Sequence, residues 1–255
     1  MENRRINVVV TGGGTSEPID NVRRITNTAT GSMGVKVVAE VLGQKPNAKV
    51  FYICSSYSLK PTLNDRLEVI IADSVLQVKE AIEKVMSENK IDYFVHGMAI
   101  SDYVVEYITT KELIKETVSE VKDLDIALDS PKTIEKANKI SSDKENLVIS
   151  MKKAPKLISI IKNLQPETFL VGYKLLDGVA ESELIDVGYN LLKKNDCDLV
   201  LANDLTYINQ DGHRGHVIFP TKDYVTFDGK DVIASMLVRI MFNQVTGRVT
   251  GYLSF

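Results

Sequence analysis

The sequence predicts a doubly wound α/β protein, and three observations carry that expectation. Apolar runs of strand length alternate with stretches of helical period along most of the chain. A glycine-rich turn follows the first apolar run directly. Two short strand-like stretches, split by turn residues, precede a last helical stretch. Together they describe a three-layer α/β/α, Rossmann-like arrangement with a mostly parallel sheet, right-handed crossovers and one short antiparallel hairpin.

Taken in order, INVVV (6–10) is a continuous apolar run and reads as a strand covered on both faces. VKVVAEVLGQ (35–44) has helical spacing, KVFYIC (49–54) and LEVII (67–71) read as strands, and SVLQVKEAIEKVMSEN (74–89) as an amphipathic helix. IDYFVHG (91–97) is strand-like again. LVISM (147–151), TFLVGYK (168–174) and DLVLAND (198–204) read as further buried strands, separated by helices at APKLISIIKNL (154–164) and ESELIDVGYNLLKK (181–194). HVIFP and DYVTF form the hairpin, and KDVIASMLVRIMFNQV (230–245) is the last covering helix. With no internal repeat or low-complexity tract, 1–255 reads as a single domain. The stretch from Val104 to Lys153 differs in texture, being dense in charge of both signs. One reading is a solvated helix plus an exposed loop. The other is a charged flap at about 130–146 that carries lysines over a ligand.

Composition narrows the function classes. An apolar content of 44% with 25% charged residues allows a real core in 255 residues. A net charge of −3 argues against a general nucleic-acid binder, which needs a basic surface. MENRRINVVV has no small-residue cleavage site behind its short apolar run, and no stretch reaches membrane-spanning length. Cys54 and Cys197 make no CxxC pair, which fits a reduced, cytoplasmic compartment.

In open α/β sheets ligands sit beyond the carboxyl ends of the strands. The residues there are Gly12, Gly13, Gly14 and Thr15 after the first strand, then His96, Gly97, Met98 and Ala99 leading to Asp102. Gly172, Tyr173 and Lys174 follow FLV, and Ala202, Asn203 and Asp204 follow DLVL. This mixture of small, hydroxyl, amide and carboxylate groups suits a phosphorylated nucleotide better than an apolar ligand. A dinucleotide fingerprint counted from Gly12 through Gly14 meets Glu17 where its last glycine belongs, and no Walker P-loop occurs. Tyr107/Lys111 and Tyr189/Lys193 match the short Tyr-x-x-x-Lys pattern, which recurs by chance. His213 and His216 stand three apart in QDGHRGH with no cysteine or acidic partner, so no metal-ligand set is read.

The joint pattern resembles a known family. GGTSEPIDNVRRITNTATGSMG, AISDY (99–103), MKKAP (151–155), VGYK (171–174) and LAND (201–204) follow in the order found in phosphopantothenoylcysteine synthetase, the phosphopantothenate–cysteine ligase of coenzyme A biosynthesis. With no decarboxylase segment ahead of the motif, the chain resembles the stand-alone bacterial form. The resemblance implies a CTP-dependent ligase with Mg²⁺, acting on phosphopantothenate and cysteine through an acyl-CMP intermediate, with no nucleic-acid or membrane partner and a homodimeric assembly. It also implies roles for residues. Thr30, Gly31, Ser32, Met33 and Gly34 would receive the triphosphate on successive amides at a helix start, although many relatives carry Lys or Arg where Ser32 stands. Asn27 would contact the acyl phosphate, with Gly13 and Arg23 at the acid substrate; a surface salt bridge is the other reading of Arg23. Gly97, Met98 and Asp102 would lie near the ribose and metal, an N-cap or buried structural role being the alternative for Asp102. Lys139 resembles the flap lysine that meets developing negative charge, with Lys132 and Lys136 as alternatives. Lys153 leads into Pro155, Lys156, Leu157 and Ile158, which would start a helix near the nucleotide, and Tyr173 and Lys194 would approach the base. A nicotinamide-dependent oxidoreductase and a non-catalytic nucleotide-binding module are the competing classes.

Overall fold

The structure is a computed structural model that describes residues 4–134, 139–208 and 212–243. In chain order its elements are β1 (Ile6–Gly12), β2 (Ser16–Pro18), β3 (Arg24–Thr26), α1 (Ser32–Gln44), β4 (Ala48–Cys54), β5 (Leu67–Ile71), α2 (Val75–Glu88) and β6 (Tyr93–His96). Then come β7 (Tyr103–Thr110), α3 (Lys111–Val121), α4 (Leu124–Asp129), β8 (Leu147–Lys153), α5 (Ile158–Leu164), β9 (Phe169–Leu176) and α6 (Glu181–Asn195). β10 (Leu199–Asp204), a 3₁₀ turn (Leu205–Tyr207), β11 (Arg214–Ile218), β12 (Tyr224–Asp228) and α7 (Lys230–Phe242) complete the described chain.

Eight strands form one sheet in the order β5-β4-β1-β6-β9-β10-β11-β12. The first six are parallel, and β11 and β12 add the antiparallel hairpin. Helices cover both faces, which is why Val8, Val9 and Val10 are all fully buried in one unbroken apolar run. Val37, Val38 and Val41 of α1 and Ile233, Leu237 and Val238 of α7 pack on one face; α2, α5 and α6 close the other. The fold is thus the Rossmann-like α/β/α sandwich with its terminal hairpin. No helix among the described residues is long and apolar enough to cross a membrane.

Helix starts are set locally. Ser74 and Gln77 form a reciprocal capping box at α2. Glu17, buried, adds its Oε1 as acceptor for Val75 N–H at 2.8 Å, placing an acid at that positive helix end. At α1 no side chain caps the helix, and its first flanking residue is Gly31, at φ 81°.

The charged stretch departs from expectation. LVISM lies in β8, but β8 pairs antiparallel with β7 from Tyr103↔Lys153 to Thr110↔Leu147, outside the main sheet. An apolar run does not say which sheet it joins, and here one face stays open, so β8 is only half-buried. The solvated helix and exposed loop that were one expectation are present as α3, in which only Thr117 is buried, and residues 141–146, with β7 and α4 in addition. Ala154 N–H closes the base of the ribbon on Asp102 O at 2.8 Å, and α5 begins only at Ile158 rather than near 154. Residues 244 and 245 of the expected last helix lie outside the described residues.

Candidate active site

β1 is where the sheet's order reverses: β4 and β5 build out on one side, β6 and β9 on the other. The crevice beyond β1 and β6 is the topological switch point, the usual ligand position in such sheets. Past the sheet the two chains stay together. Gly97 N–H donates to Thr11 O at 3.2 Å, Ala99 N–H to Gly13 O at 2.8 Å, and Thr15 N–H to Ala99 O at 3.0 Å. Glycine is required twice in that turn. Gly13 has φ 86°, and a Cβ there would lie 1.7 Å from Ser58 Oγ. A Cβ on Gly14 would lie 2.2 Å from the Asn27 carbonyl oxygen. The turn therefore packs on the Ser58 side chain at Gly13 and on main chain at Gly14, and neither position has room for a Cβ.

The hairpin of β2 and β3 delivers Asn27 to the same point. Ser16 pairs with Thr26, and the Arg24 guanidinium holds Ser16 through Oγ at 2.8 Å and O at 2.6 Å. Asn27 N–H then donates to Thr15 O at 3.0 Å, and its Nδ2 to Ala99 O at 2.9 Å. The half-buried amide is fixed between the first and second loops of the switch point.

Arg23 forms an ion pair, but its carboxylate partner is buried rather than on the surface. Its guanidinium pairs with Asp20, whose side chain is fully buried, and Nη2 also donates to Ile140 O at 2.8 Å. Asp20 accepts from the N–H groups of Val22 (2.8 Å), Arg23 (2.7 Å) and Ile140 (3.1 Å). The Arg23 guanidinium, helped by these backbone donors, holds the Asp20 carboxyl well below the usual carboxylate range. Ile140 is thereby gripped at both of its backbone polar groups, and Lys139 beside it is exposed. Lys132 is ion-paired to Glu116 and Glu120 on α3, and Lys136 lies outside the described residues. Nothing local in the sequence marked Asp20 beyond its spacing to Arg23, because its second partner is 120 residues away.

The helix start at 30–34 faces the same edge of the sheet. Thr30 is exposed and its carbonyl accepts from Leu59 N–H at 3.0 Å; Gly34 is buried, while Met33 packs on the α1/α7 side of the core. Ser32 N–H has a long contact, 3.4 Å, to Thr30 Oγ1. Behind the turn Tyr52 Oη reaches toward Gly31 O and Leu59 O at 3.5 and 3.4 Å. Tyr173 lies against Gly97, its ring carbon 3.0 Å from where a Cβ would stand. Its hydroxyl is buried with no hydrogen-bond partner among the described residues, and burial followed by the nearby Tyr52 pushes the phenol well up. Burial drives the His96 imidazole down to about 4, so it is neutral at pH 7, with Nδ1 3.2 Å from Thr11 Oγ1. Met98 is buried and its N–H donates to the same hydroxyl at 3.2 Å.

Asp102 and Lys156 are both exposed and pair with each other at the base of the ribbon. Pro155 is exposed beside them, but Leu157 and Ile158 point into the core, so only their backbone could meet a ligand. Lys194 is not brought to this cluster. It occupies the last turn of α6, which runs back from the carboxyl edge of β9 to the amino edge of β10. Fifteen residues of helix span about 22 Å, so Lys194 stands at the opposite edge of the sheet. Asp204 serves the fold: its carboxylate accepts from Thr206 Oγ1 and the N–H groups of Val179, Thr206 and Gly178, which holds it below the usual range. Tyr107 Oη donates to Leu128 O of α4 at 2.8 Å and Tyr189 Oη to Pro220 O at 3.4 Å, so both tyrosines of the Tyr-x-x-x-Lys pairs are engaged by backbone carbonyls. His213 Nε2 lies 3.3 Å from Asn203 Nδ2 and His216 Nδ1 2.9 Å from Thr226 Oγ1. Among the described residues no three His, Cys, Asp or Glu groups converge as metal ligands.

Known proteins resemble this chain in sequence and fold. The family described as the DNA/pantothenate metabolism flavoprotein C-terminal domain matches residues 3–134, just over half the chain. The coenzyme A biosynthesis bifunctional protein CoaBC of Thermococcus kodakarensis is 31% identical over 205 residues, 80% of this chain. The chain spans 42% of that relative's length. A crystal structure of the DNA/pantothenate metabolism flavoprotein from Streptococcus pneumoniae is 33% identical, with a TM-score of 0.81 over 94% of this chain and 99% of that one. A Cab2 variant in complex with phosphopantothenate-cysteine is 16% identical, with a TM-score of 0.66 over 94% of this chain and 86% of that one, and shares the fold. A family match across the switch-point motif, and one-third identity to a solved relative over nearly the whole of both chains, mean that this protein belongs to the DNA/pantothenate metabolism flavoprotein C-terminal domain family.

Proposed function

We propose that the protein is a phosphopantothenate–cysteine ligase that activates its acid with CTP. The observation that carries this reading is the meeting, at the switch point, of the glycine-rich turn (12–15), the fixed amide of Asn27 and the uncapped start of α1. The gripped Ile140 beside Lys139 adds a lysine-bearing arm. The names of two similar proteins support it: one is a coenzyme A biosynthesis protein, and another was crystallised with phosphopantothenate-cysteine.

In the proposed reaction a carboxylate oxygen of phosphopantothenate attacks the α-phosphorus of CTP, the bond to the β-phosphate oxygen breaks and pyrophosphate leaves. The amine of cysteine then attacks the acyl carbon, loses a proton and expels CMP. No covalent enzyme nucleophile is needed, so positioning and charge stabilisation carry the rate. Peptide N–H groups at 31–34 and the helix dipole would take the triphosphate. Asn27 would hold the acyl phosphate and Lys139 would face the charge that develops there. Gly13 and the open face of the Arg23 guanidinium would meet the acid, while Gly97, Met98, Asp102 and Tyr173 would border the nucleoside. Mg²⁺ fits as the nucleotide's companion: Asp102, paired with Lys156, is the single carboxylate in this set, leaving phosphate oxygens and water to complete its coordination. In the same reading the active species is a cytoplasmic homodimer, with a dimer mass expected in sedimentation at assay concentration.

The test is the partial reaction. With phosphopantothenate, Mg²⁺ and CTP but no cysteine, pyrophosphate and an acyl-nucleotide detected by mass are expected, with phosphopantothenoylcysteine formed only once cysteine is added. Parallel reactions with ATP report the base preference. Nucleotide binding without pyrophosphate release would leave a non-catalytic module, and a fluorescence response to NADPH would favour a dehydrogenase.

A further inference from the structure

The C-terminal helix reaches the nucleotide crevice. β12 is antiparallel to β11 and therefore runs with β10, so α7 starts at the same edge of the sheet as α1. The two helices lie side by side in the same sense, tied by Lys36 to Asp231 and by Gln44 Nε2 to Ser235 O at 3.2 Å. Like α1, α7 begins without a side-chain cap after a glycine of positive φ, Gly229 at 90°. Its first residue, Lys230, is half-buried and points its Nζ at Ser32 Oγ, 3.3 Å away across 198 residues of chain.

The charges around Lys230 are matched elsewhere. Asp231 pairs with Lys36 and Asp228 with Arg214. Lys230 itself has no carboxylate within ion-pair distance among the described residues. The neighbouring His213 is driven down to about 4 by burial and then by the Lys230 ammonium, so it is neutral, and its buried Nδ1 has no partner among the described residues. A lysine half out of water, beside a neutral imidazole and two positive helix ends, lacks a counter-charge.

We propose that Lys230 is a phosphate ligand of the nucleotide site, supplying from the end of the fold the cation that position 32 does not carry. This rests on the nucleotide reading given above. An ammonium at Ser32 Oγ stands beside the first turn of α1, where a phosphate held by the 31–34 amides would accept a charge-assisted hydrogen bond. The lysine acts on binding of the polyphosphate rather than on the acid or the amine.

The experiment compares the wild type with Lys230→Ala, Lys230→Arg and the double variant Ser32→Lys with Lys230→Ala. For Lys230→Ala the KM for CTP should rise about tenfold, a usual loss for one charged contact, while the KM for phosphopantothenate and for cysteine stay within twofold. Binding of inorganic tripolyphosphate, measured by calorimetry, should weaken by a similar factor and lose part of its salt dependence. Lys230→Arg should retain most of the affinity, and the double variant should recover it, because position 32 offers the charge to the same space. Unchanged CTP and tripolyphosphate affinity in folded Lys230→Ala would overturn the assignment, as would failure of both charged variants to restore it. A wild type that binds tripolyphosphate through Lys230 yet releases no pyrophosphate from CTP or ATP would instead sink the ligase reading alone.

Discussion

Asn27→Asp should lower turnover by about a hundredfold or more, the scale seen when a stabilising donor at a charged reaction centre is lost. Two physical effects combine. Asn27 Nδ2 donates to Ala99 O at 2.9 Å, and an aspartate turns an acceptor toward that carbonyl instead. The new charge also stands where an acyl phosphate would carry its own. The backbone bond of residue 27 to Thr15 O is untouched and Ala99 O keeps its bond from Thr15 N–H, so the fold should survive with a stability loss of about 0.5–1.5 kcal/mol, that of one intramolecular hydrogen bond. Pyrophosphate release in a single turnover, set beside a melting curve, separates the two. Asn27→Ala loses the donor without adding charge and should be the milder variant. Wild-type turnover in Asn27→Asp would remove Asn27 from the chemistry.

Gly13→Ala should be the most damaging small substitution in the switch-point turn. Its φ of 86° costs an L-residue about 1–2 kcal/mol, and forcing a methyl group into a packed contact adds about 1–3 kcal/mol. The contact is severe, because the new carbon would sit 1.7 Å from Ser58 Oγ, which itself bonds Ser55 Oγ at 2.6 Å. Relief requires either Ser58 or the turn to move, and moving the turn breaks the bond from Ala99 N–H to Gly13 O. The denaturation midpoint should fall by the equivalent of about 3 kcal/mol, with pyrophosphate release lost in the fraction that stays folded. Ser58 Cβ would also lie 2.7 Å from the new carbon, so removing the whole side chain with Ser58→Gly in the same chain should recover part of the stability; no recovery would mean that backbone strain, not the clash, dominates.

How much of this was legible depended on how local each cause is. Strands such as β1 and β4 are unbroken apolar runs, and α2 carries both its period and its capping box within a few residues, so these elements read directly. β7 was hidden because YVVEYITT sits among charged segments and pairs outside the main sheet, where half-burial blurs the alternation. The glycine turn and Asn27 were visible as a motif, but the reason for the glycines, close contact with the Ser58 side chain and the Asn27 main chain, exists only in three dimensions. Lys194 shows the converse: the family resemblance suggested it, and the direction of α6 carries it away. Asp20 and Lys230 were unreadable for one shared reason, since each does its work on a residue more than a hundred positions distant.

The closed base of the β7–β8 ribbon has a consequence for how such a chain can change. Residues 103–153 leave and return at points joined by one bond, Ala154 N–H to Asp102 O at 2.8 Å, so the excursion is a graft on the β6-to-β9 crossover. Lengthening or trimming its outer part alters only a loop whose ends are already held, at a closure cost that grows slowly with length. The arm bearing Lys139 can therefore diversify in evolution while the register of the sheet beneath it stays constant.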